Sequence, residues 1–404
     1  MRAFEGPVPE FELTAEGTAR AARFYAEWGF VVVRALEAEQ CAELVREQWA
    51  EVIRKQPWVE PIKVFGARGE LSPDDAGYLE TITAPLTARQ RREFARAWPM
   101  HRGFGACCDD ANFHLRGVWA IRQDPRLYAL AAKLTATNSL WVDVNRSIHK
   151  LPGEGSDEFL HWDANPLSAE GAEGDEPAQV CGKVLYTPAR AVLVPGTHTA
   201  EFRAEFKALY GAQFSSVSPK AAKVALSRDK PDPLGLAGRA VQIPIGAGRA
   251  VFWSKWLLHG MAKTPLRDPT EYGMYLGYFA AGARAEYARK CGVDEREDRV
   301  ASYTLGRAPK LWPSFDRVHF APRRFTNFPH LLDAYVRKMP HDHPSIVRGA
   351  RVTLKPWPVE GYVPPELTPL GRRLLGISPE EYEAAQEAAQ EAAHGKRKRK
   401  REDA

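Results

Sequence analysis

The spacing of apolar residues divides the chain into a helical first third and a strand-rich middle. From Thr18, a fitting N-cap, to Trp28 the pattern is helical and stops at Gly29. Phe30 to Val33 is a β-branched run that predicts a strand. Glu37 to Lys55 reads as an amphipathic helix, with Cys41, Leu44, Val45 and Trp49 at helical spacing. Residues 56–85 are turn-rich, a helix capped by Thr87 is expected as far as Trp98, and residues 99–118 read as irregular. Pro125 opens a helix through Leu134, and Leu140 to Val144 is a strand. Strands are then expected at Val180–Tyr186, Ala191–Val194, Ala240–Pro244, Ala250–Leu258 and Gly273–Phe279, with a short helix over 200–210. Polar, loop-like stretches at 168–177 and 215–240 interrupt them. Helices followed by many short strands predict an α+β chain: a double-sheet jelly roll with a helical buttress.

Composition narrows the setting. The 404 residues are 44% hydrophobic, enough for a large core, and no run of 18 apolar residues predicts a membrane helix. Met1 to Pro7 runs on into Glu10 and Glu12 without the apolar stretch of a signal peptide, so residues 1–17 read as a loose leader. Five scattered Cys without a CxxC give no zinc spacing and no disulfide framework. An intracellular, reducing compartment is expected. The net charge of +5 is unevenly spread. Residues 301–375 are basic and Pro-rich, with interleaved aromatics (Trp312, Phe315, Phe320, Phe325, Phe328, Tyr335, Trp357) expected to wrap the core. Pro379 to His394 predicts a weakly apolar helix that projects from the body, and the run Lys396-Arg397-Lys398-Arg399-Lys400-Arg401 follows it. That run is an address for a nuclear import receptor, a nucleic-acid contact or a solvated tail; without an address the expected location is cytoplasmic.

Candidate chemistry sits in the strand-rich part. In Phe159-Leu160-His161-Trp162-Asp163, residues i and i+2 of a strand put an imidazole and a carboxylate on one side. His259, 98 residues on, lies in a second apolar stretch, Leu257-Leu258-His259-Gly260. A strand carrying His259 alongside would complete two His and one carboxylate on one face of a metal, the facial triad of non-haem Fe(II) oxygenases. Trp162, Trp253 and Trp256 are expected in the core.

The flanking motifs extend the pattern. Lys150-Leu151-Pro152-Gly153 precedes the His-x-Asp pair, Val194-Pro195-Gly196-Thr197-His198 follows it, and Gly246-Ala247-Gly248-Arg249 leads into Ala250-Val251-Phe252-Trp253 before His259. With the opening Gly29-Phe30-Val31-Val32-Val33, this ordered set resembles the phytanoyl-CoA dioxygenase-like Fe(II)/2-oxoglutarate oxygenases over residues 20–280. The resemblance implies a double-stranded β-helix of cupin-like form spanning residues 18–300, with a packed extension at 301–375 and a helix and basic tail at 376–404. It implies Fe(II), 2-oxoglutarate and O2 as cofactors, His161, Asp163 and His259 as ligands, a structural role for His198, and hydroxylation of a small molecule. In that family an Arg ten or eleven residues after the distal His holds the far carboxylate of 2-oxoglutarate. Here those positions are Pro269 and Thr270. Arg267, Lys183 and Lys150 are the candidates to replace it. Two other readings stay open: a nuclear oxygenase acting on nucleic acid or protein, motivated by the basic tail, and a catalytically silent jelly-roll binding module.

Overall fold

The computed structural model describes residues 4, 6–54, 87, 113–150, 160–167, 179–212, 224–226, 231–262, 264, 268–290, 292–306, 309, 311–312, 317–318 and 362–387. The elements before the first barrel strand are β1 (Glu10–Glu12), α1 (Ala15–Trp28), β2 (Phe30–Arg34), α2 (Ala38–Arg54), α3 (Arg116–Arg122), α4 (Pro125–Thr135) and β3 (Leu140–Val142). The leader is therefore not loose throughout: β1 pairs in parallel with β2. Thr14, not Thr18, caps α1, its hydroxyl accepting from Gly17 N–H, and Gly29 ends the helix at φ 81°, a backbone region that disfavours other residues. Residues 116–118, expected to be irregular, form the first turn of the helix Arg116–Arg122. The expected helix over 86–98 and the turns at 56–85 lie outside the described residues.

The barrel strands are β4 (Ser147–Lys150), β5 (His161–Trp162), β6 (Gln179–Leu185), β7 (Ala189–Val194), then α5 (Ala200–Tyr210) and β8 (Val224–Ala225), then β9 (Val241–Ile245), β10 (Arg249–Ser254), β11 (Leu258–Met261), β12 (Glu271–Tyr275) and β13 (Tyr278–Ala280). Among the described residues they fall into two main sheets. The larger runs β1-β2-β10-β6-β12-β4, with β13 pairing β6 and β3; the smaller runs β8-β5-β11-β7-β9. Chain order crosses between sheets at β4/β5, β5/β6, β6/β7, β9/β10, β10/β11 and β11/β12, and the barrel pairs are antiparallel. That alternation is a double-stranded β-helix. Two runs expected as single strands are each broken. Residues 250–258 turn at Ser254, whose carbonyl accepts from Leu257 N–H, so that His259 enters the opposite sheet from Trp253. Residues 273–279 divide between β12 and β13.

Burial follows the two layers. Inside the barrel, Cys181, Leu185, Val251 and Trp253 of the larger sheet pack with Leu193, Ile243 and Ile245 of the smaller. The outer face of the larger sheet, through Val31, Val33, Val184, Phe252, Tyr272 and Met274, packs under the N-terminal helices. The outer face of the smaller sheet, through Trp162, Val192, Val194 and Leu258, packs under Phe202, Phe206 and Tyr210 of α5. Each such fully buried side chain contributes about 1.5–3 kcal/mol. The break at Ser254 is marked in the sequence only by the polar pair Ser254-Lys255, with no Gly or Pro between the two apolar strands.

The chain closes with α6 (Ala285–Lys290), α7 (Glu295–Leu305), the short pair β14 (Leu311–Trp312) and β15 (Arg317–Val318), and α8 (Pro369–Leu375). Helix α7 runs across residue 300, the expected domain boundary. The Arg299 guanidinium donates to the Leu374 carbonyl at 2.8 Å and the Tyr303 hydroxyl donates to the Pro365 carbonyl, so residues 362–375 pack on the body. Residues 379–387 are helical and do not project: Tyr382 and Ala385 are buried, and the Tyr382 hydroxyl accepts from Leu367 N–H. Phe315, Phe320, Phe325, Phe328, Tyr335, Trp357 and the 396–401 basic run lie outside the described residues. None of the described helices is long and apolar enough to cross a membrane.

Candidate metal centre

Strands β5 and β11 run antiparallel in the smaller sheet, and His161 and His259 are direct register partners. Cross-strand partners project to the same side, and here that side is the barrel interior. The two imidazole rings lie 4.3 Å apart. Asp163 follows β5 immediately, and its N–H donates to the Lys255 carbonyl at 3.2 Å, which fastens it to the turn before β11. Its Oδ1 is 3.6 Å from His161 Nε2 and its Oδ2 is 3.3 Å from His259 Nε2. One ligand atom from each of the three lies within 4.8 Å of the others. The three side chains are only 6–9% exposed.

Neighbouring groups fix these donors. His259 Nδ1 is 2.8 Å from the Leu257 carbonyl. A carbonyl only accepts, so Nδ1 carries the proton and the Nε2 lone pair faces the other two donors. The Thr197 hydroxyl accepts from Leu258 N–H at 2.8 Å and donates to the Val194 carbonyl at 2.8 Å, pinning the residue before His259. The same turn reaches α1, where Gly196 N–H donates to the Trp28 carbonyl. His198 stands apart from the three donors. It is half-buried, its Nε2–H donates to the Ala26 carbonyl at 3.1 Å, and burial holds it below the usual imidazole range. The donor set fits a divalent transition metal: two imidazole nitrogens and one carboxylate converge from one side and leave the other side for further ligands.

The larger sheet supplies the barrel's other polar group. Lys150 and Glu271 are register partners on β4 and β12, with Nζ 3.3 Å from Oε2, and the Lys150 ammonium also donates to the Ala262 carbonyl. Lys183, on β6, stands 3.6 Å from Glu271 Oε1. Its side chain is 12% exposed against 2% for the other two. Tyr275, further along β12, takes the Arg146 guanidinium at 4.4 Å and the Lys183 ammonium at 5.4 Å from its ring centre. Burial favours the neutral form of Glu271, but Lys183 and Lys150 outweigh it and hold its carboxyl below the ordinary range. Arg267 lies outside the described residues. Pro269 is exposed and Thr270 fully buried ahead of β12, so that strand opens on a carboxylate, Glu271, and the lysines facing it come from β4 and β6.

Sequence reasoning missed Glu271, Arg146 and the polar duty of Trp253, whose indole N–H donates to Asp163 Oδ2 at 3.2 Å. The signal for Arg146 was present. Arg146, Ile148 and Lys150 alternate toward the interior, and two cations on the inner face of a core strand need a polar purpose.

No known family pattern matches this chain, and no curated protein matches it. Among solved structures it is similar to the non-haem monooxygenase ThoJ in its apo form (15% identity, TM-score 0.36, 64% of this chain and 77% of that one). It is also similar to SnoK, a non-haem α-ketoglutarate-dependent carbocyclase from nogalamycin biosynthesis (16%, TM-score 0.36, 69% and 88%). A third is EctD from S. alaskensis, solved with 2-oxoglutarate and 5-hydroxyectoine (15%, TM-score 0.36, 70% and 84%). These values are low, and the strand order and donor geometry stand without them.

Proposed function

We propose that this protein is a non-haem Fe(II)/2-oxoglutarate-dependent dioxygenase that hydroxylates an organic substrate, with His161, Asp163 and His259 as the iron ligands. The observation that carries the reading is the convergence of these three donors inside a jelly roll. Bound there with 2-oxoglutarate and O2, Fe(II) supplies an oxidant that turns a substrate C–H into C–OH, while the 2-oxo acid loses CO2 and becomes succinate. The chain's own part is to hold the metal from one side, keep the other side open and exclude bulk water. For the far carboxylate of the co-substrate we assign Lys183 ahead of Lys150. Lys150 is fully engaged with the Ala262 carbonyl and Glu271, whereas Lys183 is the more open of the two and stands beside Arg146 on Tyr275. Arg267 remains a candidate on sequence grounds.

The test is succinate production from labelled 2-oxoglutarate by anaerobically Fe(II)-loaded protein on admitting air, with Asp163→Ala as control. Turnover that disappears in the variant supports the assignment. A wild type that neither turns over nor retains Fe(II) overturns it. Glu271 favours a second reading, a silent jelly-roll binding module, because it already engages both lysines in reach of the interior. Such a module has no need to retain Fe(II), so metal retention separates the two. The reading as an oxygenase of nucleic acid or protein rests on residues 396–401, outside the described residues.

A further inference from the structure

Trp253 sits on β10 in the larger sheet, yet touches two of the three donors, which belong to the smaller sheet. Its indole N–H donates to Asp163 Oδ2 at 3.2 Å, and its ring lies 5.1 Å from the His259 ring at an interplanar angle of 43°. The backbone of Trp253 is paired on both sides, with Phe30 of β2 and Cys181 of β6, so the indole hangs from a rigid frame. The side chain is buried in the barrel core.

A carboxylate rotates readily about its last bond. A free one closes both oxygens onto a divalent ion as easily as one. Here the indole N–H occupies one lone pair of Oδ2, which also stands 3.3 Å from His259 Nε2, while Oδ1 stands 3.6 Å from His161 Nε2 and receives no indole N–H. A neutral donor also leaves the carboxylate its full charge, which a Lys or Arg in the same place would offset. We infer that Trp253 is a positioning residue that keeps Asp163 bound to the metal through Oδ1 alone, and so preserves a coordination position for exogenous ligands. This rests on the metal-site reading proposed above.

The test uses the full chain, anaerobic, with Co(II) and Zn(II) as probe ions. Wild type and Trp253→Phe, which keeps a ring and removes the N–H, are compared by Co(II) affinity, by the visible spectrum of the bound Co(II) and by melting of the metal-free protein. The variant is expected to bind Co(II) about 10-fold more weakly. Its spectrum should shift toward a higher coordination number, while the metal-free melt stays close to wild type. A variant with wild-type affinity and spectrum overturns the inference. So does a fall in affinity that tracks a fall in the metal-free melt with an unchanged spectrum, since that is a purely structural role. Should the variant fail to fold, the wild type decides. Among its 11 Trp indole N–H resonances, one must shift markedly when Zn(II) binds, and none shifting overturns the inference. A wild type that binds neither ion brings down the metal-site reading itself, a separate outcome from the others.

Discussion

The two sheets of the barrel carry opposite polar equipment on their inner faces. The smaller sheet holds His161, His259 and Asp163, two imidazoles and one carboxylate that converge on one point. The larger sheet holds Lys150 and Lys183 with Glu271 between them, a cluster that brings its own counter-ion. On the reading proposed above, the first group awaits a divalent ion, whereas the second carries opposite charges in contact as folded. Residues of the same chemical type therefore do different work. Removing the carboxylate from the smaller sheet should therefore cost metal binding, and removing the one from the larger sheet should cost the fold.

Glu271→Gln should have the largest effect on stability. It strands two buried ammonium groups, and breaking a buried ion pair from one side costs about 3–5 kcal/mol. Urea unfolding at neutral pH measures it, and adding Lys183→Met should recover part of the loss by removing one stranded charge. A loss below about 1 kcal/mol would place the cluster in the class of exposed pairs and remove the contrast. Asp163→Asn should do the reverse. It keeps an acceptor for Trp253 and removes the charge, so metal-free stability should hold while Co(II) affinity falls by roughly 100-fold, about 2.7 kcal/mol. Equal stability losses in the two variants would show that both carboxylates are structural.

Thr197→Val sharpens the comparison from outside either cluster. The shape is kept, but the Leu258 N–H and the Val194 carbonyl lose their shared hydroxyl. A buried unsatisfied donor costs about 1–3 kcal/mol. The loss should appear in urea melts of the metal-free protein, with the Co(II) spectrum unchanged, because the ligands themselves are untouched. A changed spectrum would mean that the Pro-Gly-Thr-His turn sets ligand geometry as well as stability.

The smaller sheet's equipment is readable in the chain in a way the larger sheet's is not. His161 and Asp163 are two apart and His259 stands in a second apolar stretch, so local periodicity alone puts donors on inner faces. Glu271 is obscured because it follows Asp268, Pro269 and Thr270, a turn-like setting in which a Glu reads as solvated, and only the β4–β12 register shows that it faces Lys150. Trp253 is obscured for another reason. A Trp on a core strand is satisfied as packing, and its hydrogen bond depends on a chain reversal at Ser254 that no Gly or Pro marks. What escapes the sequence in both cases is a contact between strands far apart in the chain, within one sheet for Glu271 and between sheets for Trp253, fixed by long-range pairing rather than by local pattern.

The pH dependence of the Glu271→Gln defect is a smaller effect and the finest probe of the comparison. Burial works against the ionised form of Glu271, yet Lys183 and Lys150 prevail and set its carboxyl below its ordinary 4.5. Burial likewise works against the Lys183 ammonium, and Tyr275 and Glu271 prevail to raise it above 10.5. A depressed acid stabilises the fold above its unfolded pKa, and that contribution is lost as pH falls through the lower folded value. A raised base stabilises below its unfolded pKa and loses that contribution as pH rises through the higher folded one. The Glu271–Lys183 pair is thus at full strength between pH 4.5 and 10.5. The stability gap between wild type and Glu271→Gln should hold steady from neutrality to just above 4.5 and then narrow below it, because protonated Glu271 resembles Gln. Urea midpoints of both proteins from about pH 7 to about pH 3 read the gap directly. A gap already closing near neutrality would mean that burial, not the lysines, governs Glu271. It would then be a neutral acid that leaves both ammonium groups uncompensated, and the larger sheet, like the smaller, would be waiting for a ligand to complete it.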